Sequence, residues 1–319
     1  MITKISNKIS NFVWQNALLG RPRSLRILAY HGIVENYQDR FLERNFVTYR
    51  DFNFQLDYLT KNFKLLSIDD ILNKKGDFSN EIAITFDDGY ENNIIAAEIL
   101  LKRKIPFAIF LTTGILGSQA KSIWPVDLSL LLLKGSLNEI YLFKKPWNLN
   151  NDIQRKNVFN EIRSILKKLK SQEKNTALVE LLSQYPEDEL EILYNKFTNF
   201  KMLSVGQAKE LSSFNLCNLG SHGFQHELLH SNQDTSIVEF EIERSIEQFK
   251  DYFGNKPDFF AYPNGDSSFV AETILRQSGF KAAFVLNPIP KINIANNFLI
   301  QRMNVPGSFK SFKQNVNHY

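Results

Sequence analysis

A chain of 319 residues, 43% of them hydrophobic, has the ordinary make-up of a folded protein and room for one large domain or two small ones. A formal net charge of +4 without a concentrated basic stripe argues against nucleic-acid binding, and the runs Lys102-Arg103-Lys104 and Lys167 to Lys170 read as solvated helix ends and faces. The single cysteine, Cys217, excludes an internal disulfide and a cysteine-built zinc site, and its apolar surroundings make it a small core residue.

Residues 1–20 contain lysines but no continuous apolar block. They read as neither a signal peptide nor a membrane span, so a cytoplasmic location is expected. Ile5, Ile9, Phe12 and Val13 fall on one side of a short amphipathic helix, an N-terminal extension that either packs on its own domain or rests peripherally on the inner membrane. Leu25 to Gly32 reads as a strand that delivers His31 to its end. A helix is predicted over 49–62, a short strand at Lys64-Leu65-Leu66, and a short helix through Leu72 whose Asp69 and Asp70 are helix-start charges. Ile82 to Phe86 is a β-prone apolar run ending in Asp87-Asp88-Gly89, and a helix follows from Glu91 to Arg103. Pro106 to Leu111 is the next buried strand. This alternation of strand and helix points to a largely parallel sheet or barrel.

The rhythm changes over 128–201. One strand over Glu139 to Phe143 and three helical segments, from Ile153, Ala177 and Leu190, suggest a mostly helical insertion within a single domain spanning 1–319. Trp124 and Asp127 are placed on a loop before it. Strand and helix then resume. Ser204 with Gln207 three residues on is a capping box, Ile237 to Phe253 a long helix, and Asp258 to Tyr262 a strand ending in Pro263-Asn264-Gly265. Ala271 to Gln277 is a helix, Lys281 to Leu286 a strand, and Phe298 to Met303 the last strand. Seven or eight strands over this length fit a βα-barrel.

A strand ending in two carboxylates brings acids to the edge of a sheet where α/β proteins bind ligands, although Asp-Gly is also ordinary turn chemistry. His222 and His226, four apart, would share one side of a helical turn, within reach of one divalent ion. Two histidines and one carboxylate are a common catalytic metal set, and Asp87 and Asp88 are the carboxylate candidates. His230 is read as a supporting surface residue. Zinc is the first choice of metal, with cobalt, nickel or manganese able to serve the same donors.

Thr85-Phe86-Asp87-Asp88-Gly89, Ser221-His222-Gly223-Phe224-Gln225-His226 and Phe260-Ala261-Tyr262-Pro263-Asn264-Gly265 resemble, in order and spacing, the first three motifs of the polysaccharide deacetylases. This is the NodB-homology group, carbohydrate esterase family four. Tyr30-His31 is similar to the opening of a Tyr-His subgroup that includes poly-N-acetylglucosamine deacetylases. The resemblance spans roughly residues 25 to 305, and it implies an α/β fold, a distorted (β/α)7 barrel, and metal-dependent N-deacetylation. Carried over by position, Asp87 is the general base and Asp88, His222 and His226 hold the metal. The backbone N–H of Asn264 serves the oxyanion, Tyr262 in the same motif is a further candidate for contact with substrate, and His31 protonates the departing amine.

Several positions depart from the family pattern. Gly223 stands where Ser or Thr is usual, so a loop-bracing hydrogen bond is expected to be missing. Ala261 replaces an arginine that holds the base, and Arg302 on the last strand is the expected substitute. No late Leu-x-His or Asp-Trp motif is recognisable; Trp124 is a candidate for stacking on a sugar ring, with packing as the alternative. The expected function is removal of an N-acetyl group from an amino sugar, oligosaccharide or lipid-linked saccharide in surface polysaccharide or glycolipid assembly. The rivals are a deformylase of a formamido sugar and an inactive carbohydrate-binding barrel. A phosphoesterase would need more charged groups than the motifs supply.

Overall fold

Continuous runs of branched and aromatic residues, buried on both faces, form the central strands, as expected for a parallel sheet covered by helices. The computed structural model describes residues 26–73, 80–118, 122–286 and 296–318. The helix expected over residues 1–20 lies outside the described residues. In chain order the strands are β1 (Arg26–Tyr30), β2 (Ile33–Val34), β3 (Val47–Thr48), β4 (Lys64–Leu65), β5 (Glu81–Phe86), β6 (Phe107–Leu111), β7 (Glu139–Leu142), β8 (Lys145–Asn148), β9 (Cys217–Ser221), β10 (Phe259–Ala261), β11 (Ala282–Val285), β12 (Ile300–Gln301) and β13 (Met303–Asn304).

The main sheet runs β12-β11-β10-β9-β6-β5-β1-β13, with β4 added beside β5. Every pairing in it is parallel. The two ends of this path are halves of one stretch of chain, separated only by Arg302. The first half pairs with β11 and the second with β1, so the run from Ile300 to Asn304 closes the sheet on itself. Counting that run once, seven strand positions surround the axis. Arg302 N donates to Val285 O at 2.9 Å on one side of the seam, and Val305 N donates to Ala29 O at 3.1 Å on the other. The single last strand expected from the sequence is therefore two short ones, because the run changes partner midway.

Helices fill the connections. Tyr49–Asn62 starts at Thr48, whose hydroxyl accepts from Asp51 N, and buries Phe52, Leu56 and Leu59. Thr235–Phe253 ends at Gly254 in the left-handed conformation (φ 78°), the usual helix stop. Between β6 and β9 the described residues form, before the helix Val205–Ser212 that leads into β9, a long excursion of four helices, Trp124–Lys134, Asp152–Leu166, Ser171–Leu182 and Glu189–Lys196, with the antiparallel β7–β8 hairpin among them. Its core, including Leu131, Phe159, Ile162 and Leu166, is continuous with Phe46 and Tyr90 on the barrel side. Trp124 and Asp127 begin a helix here, not a loop; Pro125 in the first turn was the sequence signal for that start. Among the described residues, no helix is long and apolar enough to cross a membrane.

The capping box at Ser204 is formed as expected: its hydroxyl accepts from Gln207 N at 3.1 Å and Gln207 Oε1 accepts from Ser204 N at 2.7 Å. Ser204→Ala is expected to cost about 1 kcal/mol, read as a lower denaturant midpoint at unchanged slope.

Candidate active site

The β1–β5 ladder continues one residue past β5, where Asp87 N donates to Tyr30 O at 2.9 Å. The backbone then turns left-handed at Asp88 (φ 72°) and Gly89 (φ 85°). Asp tolerates that region better than most residues. At Gly89 a side chain would be strained and its Cβ would meet Leu111 Cδ2 at 3.0 Å. The turn sends two neighbouring carboxylates to different partners.

Asp87 faces the seam. Arg302 grips it at two points, Nη1 to Oδ1 at 2.6 Å and Nη2 to Oδ2 at 2.8 Å, and both side chains are 0% exposed. The same Nη1 donates to Thr85 Oγ1 at 3.0 Å. Burial alone would raise the Asp87 carboxyl; the charges of Arg302 and His222 outweigh it and hold the group below the usual carboxylate range. The arginine absent at Ala261 is thus supplied from the closing strand.

Asp88 faces the histidines. Its Oδ1 lies 3.3 Å from His222 Nε2 and 3.5 Å from His226 Nε2. Burial would raise this carboxyl too, but the two imidazoles hold it well below its usual value. His222 Nδ1 donates to Ala261 O at 2.8 Å, which leaves the Nε2 lone pair aimed at Asp88. The three donors, all buried, lie within 4.8 Å of one another. Ligands on a tetrahedral centre with bonds of about 2.0–2.1 Å stand roughly 3.3–3.4 Å apart. The donor set and its spacing therefore fit one zinc-sized ion. His230 stays outside this group, half-buried, with Nε2 3.3 Å from Leu169 O.

The histidines do not converge by helical spacing. Residues 222–226 form a bend with Gly223 at φ 84° and His226 at φ 60°. What holds the bend is Glu241, from the helix Thr235–Phe253. Its Oε1 accepts from the backbone N–H of Phe224 and Gln225, each at 2.8 Å, and of Glu227 at 3.1 Å. A Cβ at residue 223 would lie 2.5 Å from that oxygen, so glycine is required. The loop brace expected to be missing is supplied by this acid. The sequence did hold a signal for it: Glu241 interrupts the buried stripe Val238, Ile242, Ser245, Phe249. Burial pushes its carboxyl up to about 7 despite the three donors.

The excursion braces the same loop. Trp124 Nε1 donates to His226 O at 3.3 Å, and the Lys174 ammonium lies 5.0 Å from the Trp124 ring centre while pairing with buried Glu227 at 2.8 Å. Above Asp88, His222 and His226 opens a cleft of about 270 Å³, lined by Asp87, Asp88, His31, Trp124 and Asn264 among others. His31 presents a buried Nδ1 with no hydrogen-bond partner, and its carbonyl oxygen is fixed by Asn93 Nδ2 at 2.6 Å. Asn264 sits at φ 58° in a single 3-10 turn. Tyr262 is not at the cleft: its side chain is fully buried and packs edge-on against Phe260 in a core cluster. The strand's alternation turns it to the outer face, away from the mouth.

The polysaccharide deacetylase family model matches residues 144–283, which contain the second and third motifs. The resemblance to polysaccharide deacetylases is thereby shown. The first motif, at Thr85 to Gly89, lies before the matched stretch and rests on the geometry above. No curated protein matches the chain by sequence. Among solved structures, IcaB from Ammonifex degensii superposes with a TM-score of 0.58 at 19% identity, over 92% of this chain and 96% of that one. Streptococcus pyogenes deacetylase PplD in complex with acetate gives 0.58 at 15%, over 92% and 98%. A de-N-acetylase from Aggregatibacter actinomycetemcomitans gives 0.55 at 15%, over 91% and 98%. At these identities the likeness shows the fold, a nearly closed parallel barrel.

Removing the brace has a defined expected cost. Glu241→Ala leaves three N–H groups without their acceptor and is expected to lose roughly 2–4 kcal/mol of stability. Glu241→Gln keeps an acceptor and loses less. Because the folded carboxyl titrates near 7 against an ordinary 4.5, the folded chain retains a proton that the unfolded chain has released between those values. Its contribution to stability therefore falls as pH rises through that window and levels off above it. Thermal melts of wild type and Glu241→Gln across the window check this: the gap between them moves against the wild type with rising pH.

Proposed function

We propose that this barrel mouth hydrolyses the N-acetyl group of an amino sugar with the help of one divalent ion, zinc being the metal the donors suit best. The observation that carries the reading is the division of two adjacent buried acids, one clamped by Arg302 and the other aimed at two imidazoles, on the floor of one cleft. Asp88, His222 and His226 hold the ion. When bound, it polarises the acyl carbonyl and acidifies the attacking water.

The chain's own groups do the rest. Asp87 takes the proton of the attacking water as the oxygen bonds to the carbonyl carbon. Its two oxygens have four lone-pair sites, so the Arg302 clamp leaves acceptors free for that task. Arg302 fixes the carboxylate's orientation and keeps it ionised. The left-handed turn at Asn264 offers a backbone donor to the developing oxyanion, beside Pro263, which has none to give. His31, at the cleft wall, delivers a proton to the amine as the C–N bond breaks, and acetate and the free amino sugar leave. Trp124 closes the side of the cleft and steadies the His226 loop.

Acetate release from a panel of N-acetyl sugars, free and carrier-linked, tests the reading. Chelator should reduce it to background and zinc should restore it. Asp87→Asn is expected to lower kcat by about 10²–10⁴, and His31→Ala to lower it by about 10². Release of formate from a formamido sugar without acetate from any N-acetyl sugar, or saccharide binding without turnover, would overturn it. Arg302→Lys keeps the charge but not the two-point grip, and is expected to lower kcat about 10–100-fold with KM little changed. Unchanged turnover in that variant would remove Arg302 from the positioning role.

A further inference from the structure

The cleft that holds the two acids also carries three cations on its wall. Arg163 and Lys167 come from the end of the helix Asp152–Leu166 and its cap, and Arg44 comes from the loop before β3. Among the described residues none of the three has an ion pair with a carboxylate. Arg163 keeps a buried Nε without a hydrogen-bond partner. Arg44 is held by uncharged groups: Nη1 donates to Phe41 O at 3.0 Å, and its guanidinium lies over the rings of Phe41 and Phe159 at 5.4 and 5.0 Å. Lys167 donates to Asn264 Oδ1. Asp266, whose charge acts on Lys167, accepts from Asn264 Nδ2.

The cations feel one another. Burial, then the charges of Arg163 and Arg44, bring Lys167 down to about 8 against the support of Asp266. Positive residues in a last helical turn are ordinary, since they suit the helix dipole. That accounts for Arg163 lying where it does on the helix. It does not account for a buried, unpaired Nε in a cleft, or for a second guanidinium brought to it from another segment. The carboxylates that line the cleft, Asp87 and Asp88, are both engaged at its floor. The wall therefore carries more positive charge than the carboxylates lining the cleft balance, with Asp266 acting on Lys167 from outside that lining.

The geometry points to an anion subsite beside the hydrolytic centre, formed by Arg44, Arg163 and Lys167, that takes the phosphate or diphosphate of a phosphorylated N-acetylamino sugar. This rests on the deacetylase reading and narrows its substrate to a sugar whose phosphate links it to a carrier. Paired guanidinium forks suit phosphate oxygens, and the nearby ammonium adds a point charge. A neutral glycan offers these donors hydroxyl and carbonyl acceptors but no charge to pair with theirs. The reaction that supplies such a substrate is a sugar-phosphate transfer, and the one that consumes its product is transfer of the freed amino sugar from the carrier.

Binding read without turnover tests this. Full-length protein in chelator is titrated by calorimetry with N-acetylglucosamine, its 1-phosphate, uridine diphosphate N-acetylglucosamine, a polyprenyl diphosphate N-acetylglucosamine in detergent, and an N-acetylglucosamine–glucuronate disaccharide. The 1-phosphate is expected to bind at least about tenfold tighter than the neutral sugar at low salt, with an advantage that shrinks as salt rises. The tighter of the two diphosphates identifies the carrier. In Arg163→Gln/Lys167→Gln the ratio of phosphorylated to neutral affinity is expected to fall about tenfold. Arg44→Gln, on a separate segment, should lower it too, which guards against a folding defect in the helix variant; thermal melts accompany each. Equal binding of the phosphorylated and neutral sugars, preference for the glucuronate, or an unchanged ratio in both variants would overturn the proposal. A phosphate preference without acetate release from any substrate would leave the subsite standing and remove the deacetylase reading instead.

Discussion

Two carboxylates on neighbouring residues are buried at the mouth of this barrel, and neither can stay ionised there without a cation of its own. Isolated charges in such a place are too costly to keep. The left-handed turn at Asp88 solves the problem by pointing the two side chains apart. One meets a guanidinium in a two-point grip, and the other meets two imidazoles, a donor set that could hold one ion. The same left-handed turn gives the two acids different partners, and the proposed amide hydrolysis rests on that division.

The closure of the barrel is tied to that arrangement. Arg302 is the residue between β12 and β13, at which the last run passes from one neighbouring strand to the other. Its side chain projects into the barrel mouth while its backbone N–H bonds to Val285. The seam of the barrel and the orientation of Asp87 therefore depend on one position. On the opposite side, the His222–His226 bend is held by Glu241 from a barrel helix and by Trp124 and Lys174 from the excursion. The excursion thus reaches the floor of the cleft as well as its wall.

Much of this was legible in the sequence because local rules carried it. The helix over 49–62, the capping box at Ser204 and the strand into Asp87-Asp88-Gly89 follow from periodicity and cap chemistry. The motifs brought Asp88, His222 and His226 together on paper, and Arg302 could be picked as the stand-in for the arginine absent at Ala261. What failed was long-range or conformational. A spacing of four residues suggested a helical turn, but positive φ at Gly223 and His226 makes a bend, and backbone angles are not written in spacing. Glu241 is remote in sequence from the loop it supports, visible only as a charge on an apolar stripe. Tyr262 sits in a motif yet faces the core, since neighbours on a strand point to opposite faces. The helix from Trp124 is announced only by Pro125 in its first turn, with no side-chain cap, and a lone proline suits a loop equally well. The charge of the cleft wall was invisible because Arg44 and Lys167 lie more than a hundred residues apart.

Metal affinity in two matched variants tests the division of the two acids most directly. Wild type, Asp87→Asn and Asp88→Asn are titrated with zinc against a chromophoric chelator, and the loaded wild type is examined by X-ray absorption. One ion per chain is expected, with two imidazole nitrogens and oxygen at about 2.0–2.2 Å. Asp88→Asn should weaken binding by about 100-fold or more, while Asp87→Asn should stay within about tenfold of wild type. Equal losses in the two variants, or an absorption spectrum without imidazole ligands, would contradict the account.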